Sequence, residues 1–236
     1  MEQLISEGAE IAVIGYHIND PYQNNYGLAR AEYYGMAAFP HVVLDGQQLF
    51  EWTYDDILSA YEERIDEDSH YSIELLVDRY ATDVNVTVNV GQIGAPNPET
   101  KVLHLVLTES YIEDSWYGGE YINHTERLMI PDHNGTPLTG DIDFEFQMEE
   151  SWKPQNCELI AFVQDTVTKE VVQSTVFHLE ETVLNNDVAL TEIIVPGEEY
   201  CLDSVNPVIK FKNMGVDTLK SFVVYYMING NPYNYE

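Results

Sequence analysis

The side chains best suited to chemistry gather in one stretch. Between Ser110 and Gly140 stand Trp116, Tyr117, Tyr121, His124, Arg127, Asp132 and His133, with turn signals at Gly118-Gly119 and Asn134-Gly135. Imidazole and carboxylate are common donors to divalent metals, so His124, Asp132 and His133 invite a metal reading. Adjacent Asp and His is not an established ligand spacing, however, and Arg127 would repel a cation. Hydrolysis needs a nucleophile beside a base that a third group orients. No serine here sits in a nucleophile-elbow pattern, and the histidines lack support from their sequence neighbours. A connection this long is functional or conceals short strands. The expectation is a binding loop built from those seven residues, with no catalytic residue and no metal ligand.

The two cysteines, Cys157 and Cys201, form no Cys-x-x-Cys or zinc pattern, and two separate buried thiols are favoured over a disulfide between them. Charge narrows the partners. Ten Lys and Arg against 41 Asp and Glu give a net charge of −31. Such a surface repels a phosphate backbone, which excludes nucleic acid, and disfavours anionic lipid. What remains is solubility, a salty habitat, or divalent-cation binding. No cofactor is expected, with calcium on acidic loops as the alternative. Seventeen tyrosines against eight phenylalanines suit half-buried strand faces and wet binding surfaces, where a ring packs while its hydroxyl keeps a partner. The chain has no apolar run long enough for a transmembrane helix, and Met1–Glu7 lacks the basic start and apolar stretch of a signal peptide.

The elements that must position these residues change character along the chain. Residues 1–68 read as α/β: the end of a helix closed by Gly8, an apolar strand at Ile11–Gly15, and a helix from Tyr26 to Tyr34 ending at Gly35. A strand then opens at Pro40 and closes at Asp45-Gly46, and an amphipathic helix runs over 55–65, with Ile57, Leu58, Tyr61 and Ile65 on one face. That order predicts a sheet with at least one parallel crossover. From Tyr71 onward the pattern is strands: 73–78, 84–90 in strict alternation, 102–108, 142–148, 159–164 and 171–177. Six such strands and no helix of useful length predict an antiparallel β-sandwich over 69–181. After the polar stretch Leu184–Asp187, three more strands follow at 188–195, 206–219 and 221–230. Asn-x-Ser/Thr sequons stand at Asn85, Asn123 and Asn134, which matter only in a host that glycosylates them.

Three resemblances join these segments. Gly35-Met-Ala-Ala-Phe-Pro-His-Val-Val-Leu-Asp-Gly46 resembles the thioredoxin-fold element of helix, cis-proline and strand. The resemblance implies that Phe39-Pro40 is that element and that its exposed backbone docks an extended peptide. The family's Cys-x-x-Cys is missing. Its chemistry needs a low-pKa thiolate at a helix N-terminus and a resolving thiol, so the chain as given is expected to lack thiol-disulfide activity. Tyr121–Leu138, with Ala161–Ser174 downstream, is similar to Omp28-related proteins of Bacteroidetes-type bacteria, which implies an exported or surface-associated protein. The final strands look like the start of a CARDB-type immunoglobulin-like module. The expected organisation is multi-domain: a truncated thioredoxin-like α/β domain over 1–68 without its first strand, an Omp28-like β-sandwich over 69–181, and a partial second, Ig-like sandwich over 182–236. The expected function is a non-catalytic interaction or spacer protein in the periplasm, at the outer membrane or outside the cell, binding a protein or peptide. The alternative is a piece of an exported thiol-disulfide oxidoreductase whose cysteine pair lies upstream of Met1. Neither a ligand nor an oligomeric state can be read from the residues.

Overall fold

The computed structural model describes residues 1–36, 38–49, 51, 53–94, 98–114, 118–138, 140–179, 188–195, 206–213, 218–228 and 231–235. The described residues are mostly β-strands in several sheets, with few helices. The chain divides into two compact units: residues 1–77 with 83–181, and residues 78–82 with 182–236. The border expected near residue 68 falls inside the first unit.

Local chemistry sets the helices. Helix α1 (Glu2–Ser6) is followed by Gly8 at φ +91°. Helix α2 (Asn25–Tyr34) starts at Asn24, whose side chain accepts from the Gly27 N–H at 2.8 Å, and it stops at Gly35 in the left-handed conformation. Helix α3 (Tyr54–Ile65) begins with a capping box in which Thr53 and Asp56 satisfy each other's backbone N–H. Strands β1 (Val42–Leu44) and β2 (Gln47–Leu49) form a hairpin. Its two-residue turn, Asp45-Gly46, takes positive φ at both positions, as the right-handed strand twist favours.

Two antiparallel sheets build the rest of the first unit. One has the order β10 (Ile142–Gln147), β4 (Asp83–Gln92), β3 (Tyr71–Tyr80). The other runs β12 (Val171–His178), β11 (Cys157–Asp165), β5 (Lys101–Glu109), β8 (Thr125–Ile130), with β9 (Thr136–Pro137) pairing the start of β5. Val84, Val86 and Val88 of β4 share one core with Leu103, Leu105 and Leu107 of β5 and Leu159, Ala161 and Val163 of β11. The intervening residues of the larger sheet make a second core on its other face. Val106, Ile160, Phe162 and Met129 pack there against Ala12, Ile14, Tyr16 and Tyr26 from the front of the chain.

Three expectations are corrected. Ile11–Gly15 forms no parallel ladder with the Pro40 strand. Among the described residues it runs extended and touches β8 through one parallel bridge, Gly15 to Thr125, while β1 pairs with β2 alone. Its apolar residues find cover on the outer face of the larger sheet, so no separate α/β sheet needs to form. Second, the 110–140 stretch is no continuous loop. It holds β6 (Ile112–Glu113), β7 (Tyr121–Ile122), β8 and β9. Strand β8 escapes pattern reading because buried Thr125 and Glu126 break its alternation and its ladder with β5 shifts at Leu107/Thr108. Third, the final residues continue as strand. The second unit contains the hairpin β13 (Val188–Val195) with β14 (Val208–Asn213) and the hairpin β15 (Val224–Ile228) with β16 (Asn231–Tyr235).

The β1–β2 turn is seated against the turn between β11 and β12. Val171 donates its N–H to the Asp45 carbonyl (3.0 Å), and Arg64 of α3 pairs with both Asp45 (3.2 Å) and Glu170 (3.0 Å). A Cβ on Gly46 would lie 1.8 Å from the Lys169 carbonyl oxygen. Gly46→Ala is therefore expected to cost more than ~2 kcal/mol in urea unfolding. Gly8→Ala, at a similar φ but with nothing within 4 Å, is expected to show only the backbone strain of roughly 1–2 kcal/mol. Equal losses would refute the seating.

Candidate functional site

The front of the chain does not lie flat on the larger sheet. A cavity of about 800 Å³ opens between residues 12–18, α2, Met36, the 39–46 segment and the outer face of the sheet, with Ile160 and Phe162 of β11 as its floor. Phe39, Pro40, Tyr121 and His124 all line it. The Phe39–Pro40 peptide bond is cis, and Phe39 is 45% exposed. The remaining residues of the expected loop go elsewhere. Arg127 donates through Nε (3.0 Å) and Nη2 (2.7 Å) to Glu109 and sits between the rings of Tyr22 and Trp152. Asp132 accepts from the backbone and side-chain amides of Asn134 in a turn beside His133. Trp116 and Tyr117 lie outside the described residues, as does Cys201. Cys157 is buried, its Sγ 3.3 Å from the Lys153 carbonyl. A second recess, of about 440 Å³, is ringed by the carboxylates of Glu113, Asp114 and Glu120. Among the described residues no group of three or more His, Cys, Asp or Glu is placed to hold a metal.

The rims of the cavity carry unused backbone. Gly15 directs both its N–H (2.6 Å to the His124 carbonyl) and its C=O (3.0 Å from the Glu126 N–H) toward β8. In extended chain neighbouring residues point their backbone groups to opposite edges, so those of Ile14 and Ala12 point away from β8. In the β1–β2 hairpin, Leu44 and Gln47 flank a two-residue turn and bond to each other, which turns the Val43 groups outward. Among the described residues no hydrogen bond is made by the backbone of Ala12, Ile14 or by the outward edge at Val43. All three residues line the cavity.

Polar side chains missed by the sequence reading occupy its inner end. His17 Nδ1 stands 2.8 Å from Asp20 Oδ2, and its Nε2 is 3.3 Å from Thr125 Oγ1. A hydroxyl, an imidazole and a carboxylate thus fall in line as in a nucleophilic triad. Thr125 is 0% exposed, so its hydroxyl has no surface at which a substrate carbonyl could meet it. The line anchors residues 17–20 to β8 instead. Arg30 of α2, 3% exposed, donates from Nη2 to Tyr34 Oη (2.7 Å) and Gln164 Oε1 (2.9 Å). Its guanidinium carbon lies 4.8 Å and 4.9 Å from the ring centroids of Tyr33 and Tyr34. His124, at φ +56°, has Nε2 3.2 Å from Glu2 and Nδ1 3.9 Å from Glu158, within ion-pair range but without hydrogen-bond alignment.

Burial controls the ionisation here. The Glu126 carboxyl is pushed up to about 7 by desolvation, which outweighs the Asn24 hydrogen bond and the nearby Arg127 charge. Desolvation, with Arg30 adding to it, pulls His104 down to about 3, so it stacks on Phe162 as a neutral ring with centroids 4.7 Å apart. Tyr16 is raised well above an ordinary phenol, chiefly by burial. None of these signals is visible in sequence spacing, since Glu126, His104 and Arg30 come from three elements.

No family model matches this chain, and no curated protein matches it. Among solved structures, HBP35 of Porphyromonas gingivalis is similar over 99% of this chain and 91% of its own, at 15% identity and a TM-score of 0.60. A domain of the outer membrane lipoprotein Omp28 from Porphyromonas gingivalis aligns with 47% of this chain and 88% of its own, at 19% identity and a TM-score of 0.37. The first likeness is one of fold; the second is too slight to bear on it. Among the described residues no helix is long and apolar enough to cross a membrane.

Glu126 supplies a pH test. Its folded pKa lies above the unfolded value of 4.5, so its contribution to stability is fully present below pH 4.5 and is lost as pH rises through about 7. Relative to wild type, Glu126→Gln should gain about 3 kcal/mol of unfolding free energy between pH 4.5 and 8. Parallel stability curves for the two proteins across that window would contradict the assignment.

Proposed function

We propose that this chain is a non-catalytic interaction protein of the exported or cell-surface type, and that its cavity takes an extended segment of a protein partner. The outward backbone groups of Ala12, Ile14 and Val43, all lining one cleft, carry this reading. Open strand edges recruit another strand through main-chain hydrogen bonds, and side-chain pockets then set its specificity. Phe39 and Pro40 stand at the mouth of the cleft, where the resemblance to the thioredoxin fold puts peptide docking. The modular reading belongs to the same proposal: a thioredoxin-like front, an Omp28-like β-sandwich, and an Ig-like third part as a spacer. The likeness of fold to HBP35 extends along nearly the whole chain, which is compatible with that reading. Export and surface location rest on the Omp28-type residues of 121–138 and 161–174.

The probe is an uncharged hexapeptide, acetyl-Thr-Val-Thr-Val-Gln-Val-amide, titrated by calorimetry. Binding is expected to slow hydrogen exchange at the amides of Ala12, Ile14 and Val43. Ala12→Pro, which removes one outward N–H, should weaken the peptide by roughly tenfold, the equivalent of ~1.4 kcal/mol. The cleft reading fails if the peptide does not bind, or binds without protecting those amides. In a separate assay the chain should reduce insulin disulfides no faster than background; measurable turnover would overturn the non-catalytic reading.

A further inference from the structure

The peptide cleft leaves one charge unexplained. Arg30 is almost wholly buried, yet among the described residues no carboxylate lies within ion-pairing distance of it. This is unexpected in a chain with 41 acidic residues, most of whose other cations are spoken for. Arg64, Lys101, Arg127, Lys153, Lys210 and Lys212 all pair with carboxylates. Lys169 gives its ammonium to the Tyr33 carbonyl at 2.6 Å, with the Tyr33 ring centroid 5.0 Å away. Burying an unpaired cation costs several kcal/mol. Neutral partners offset part of that cost: Tyr34 and Gln164 take Nη2, and the Tyr33 and Tyr34 rings lie against the guanidinium. They do not neutralise the charge, and Nε has no hydrogen-bond partner.

Arg30 also lines the cavity, beside apolar Ile14, Ile160 and Phe162. Three carboxylates line it too, each beside a partner of its own: Glu2 is 3.2 Å from His124, Asp20 2.8 Å from His17 and Asp45 3.2 Å from Arg64. Arg30 is thus the lining charge left without a counter-ion among the described residues, and such a group beside apolar walls recognises a ligand of opposite charge. We propose that Arg30 is a carboxylate-recognition site and that the preferred partner segment is apolar with a single carboxylate reaching the inner end of the cleft. That carboxylate comes from an Asp or Glu side chain or from a chain terminus. The net charge of −31 limits it to one, because the surface repels a polyanionic segment at long range. This inference rests on the peptide-cleft reading and specifies its ligand.

Three peptides separate the sources: the uncharged probe above, the same amide with its Gln replaced by Glu, and the Gln peptide with a free C-terminal carboxylate. Hexanoate serves as a fourth, non-peptide probe. One carboxylate peptide is expected to bind at least ~10-fold tighter than the uncharged one, and which of the two does so identifies the source. Added salt should not weaken the preference, since a buried pair is little screened while surface repulsion is. Arg30→Met should abolish the preference while the uncharged peptide still binds, and it should keep or raise the melting temperature because it removes an unpaired buried charge. Arg30→Lys should retain part of the preference. Equal binding of all three peptides to wild type overturns the carboxylate site and leaves the cleft reading intact. If no peptide binds but hexanoate raises the melting temperature of wild type and not of Arg30→Met, the site stands and the peptide reading falls. If neither peptides nor hexanoate bind, both fall.

Discussion

Strands β5 and β11 are buried on both faces, and the rest of the first unit follows from that. Their inward residues complete the core shared with β3, β4 and β10, and their outward face carries apolar Val106, Ile160 and Phe162 beside buried His104, Thr108 and Gln164. A single sheet face left bare would expose a contiguous apolar patch. The front of the chain is the cover. Ala12, Ile14, Tyr16 and Tyr26 lie on that face, Gly15 hooks to β8, and the Asp45-Gly46 turn is fastened against the β11–β12 turn.

The cover is incomplete, and the gap is the cleft. Residues 12–14 and β1 approach the sheet from two sides without pairing with one another, so each keeps one unsatisfied edge. Backbone groups of this kind are obligatory donors and acceptors and are normally paired when removed from water. The extended segment proposed as its partner would satisfy both rims at once. Arg30 lies in that cleft among tyrosines, its guanidinium bonded to Tyr34 and Gln164 and set against the Tyr33 and Tyr34 rings. The Thr125–His17–Asp20 line carries the components of a catalytic triad, and the burial of Thr125 turns it into a fastening.

Several elements were legible from local chemistry. The Gly35 stop, the Asp-Gly turn and the alternation of 84–90 each depend on neighbours in sequence, and each stands where the residues put it. Strand β8 was not legible, because its polar start, Thr125 and Glu126, is buried and a register shift interrupts its pairing. The candidate loop of 110–140 separated for the same reason. Tyr121 and His124 turn into the cleft, whereas Arg127 is drawn to Glu109 on the neighbouring strand.

What the sequence by itself determined is the set of local decisions: where helices cap and stop, where strands alternate, and that the chain carries a large negative charge and no cysteine pair at redox spacing. Tertiary structure decided which apolar run covers which face, left Ala12, Ile14 and Val43 with open backbone edges, and buried Arg30 away from every described carboxylate. The reason is one of range. Capping, turns and alternation are settled within a few residues, whereas double burial of β5 and β11 and the isolation of a charge exist only once segments far apart in sequence are packed together.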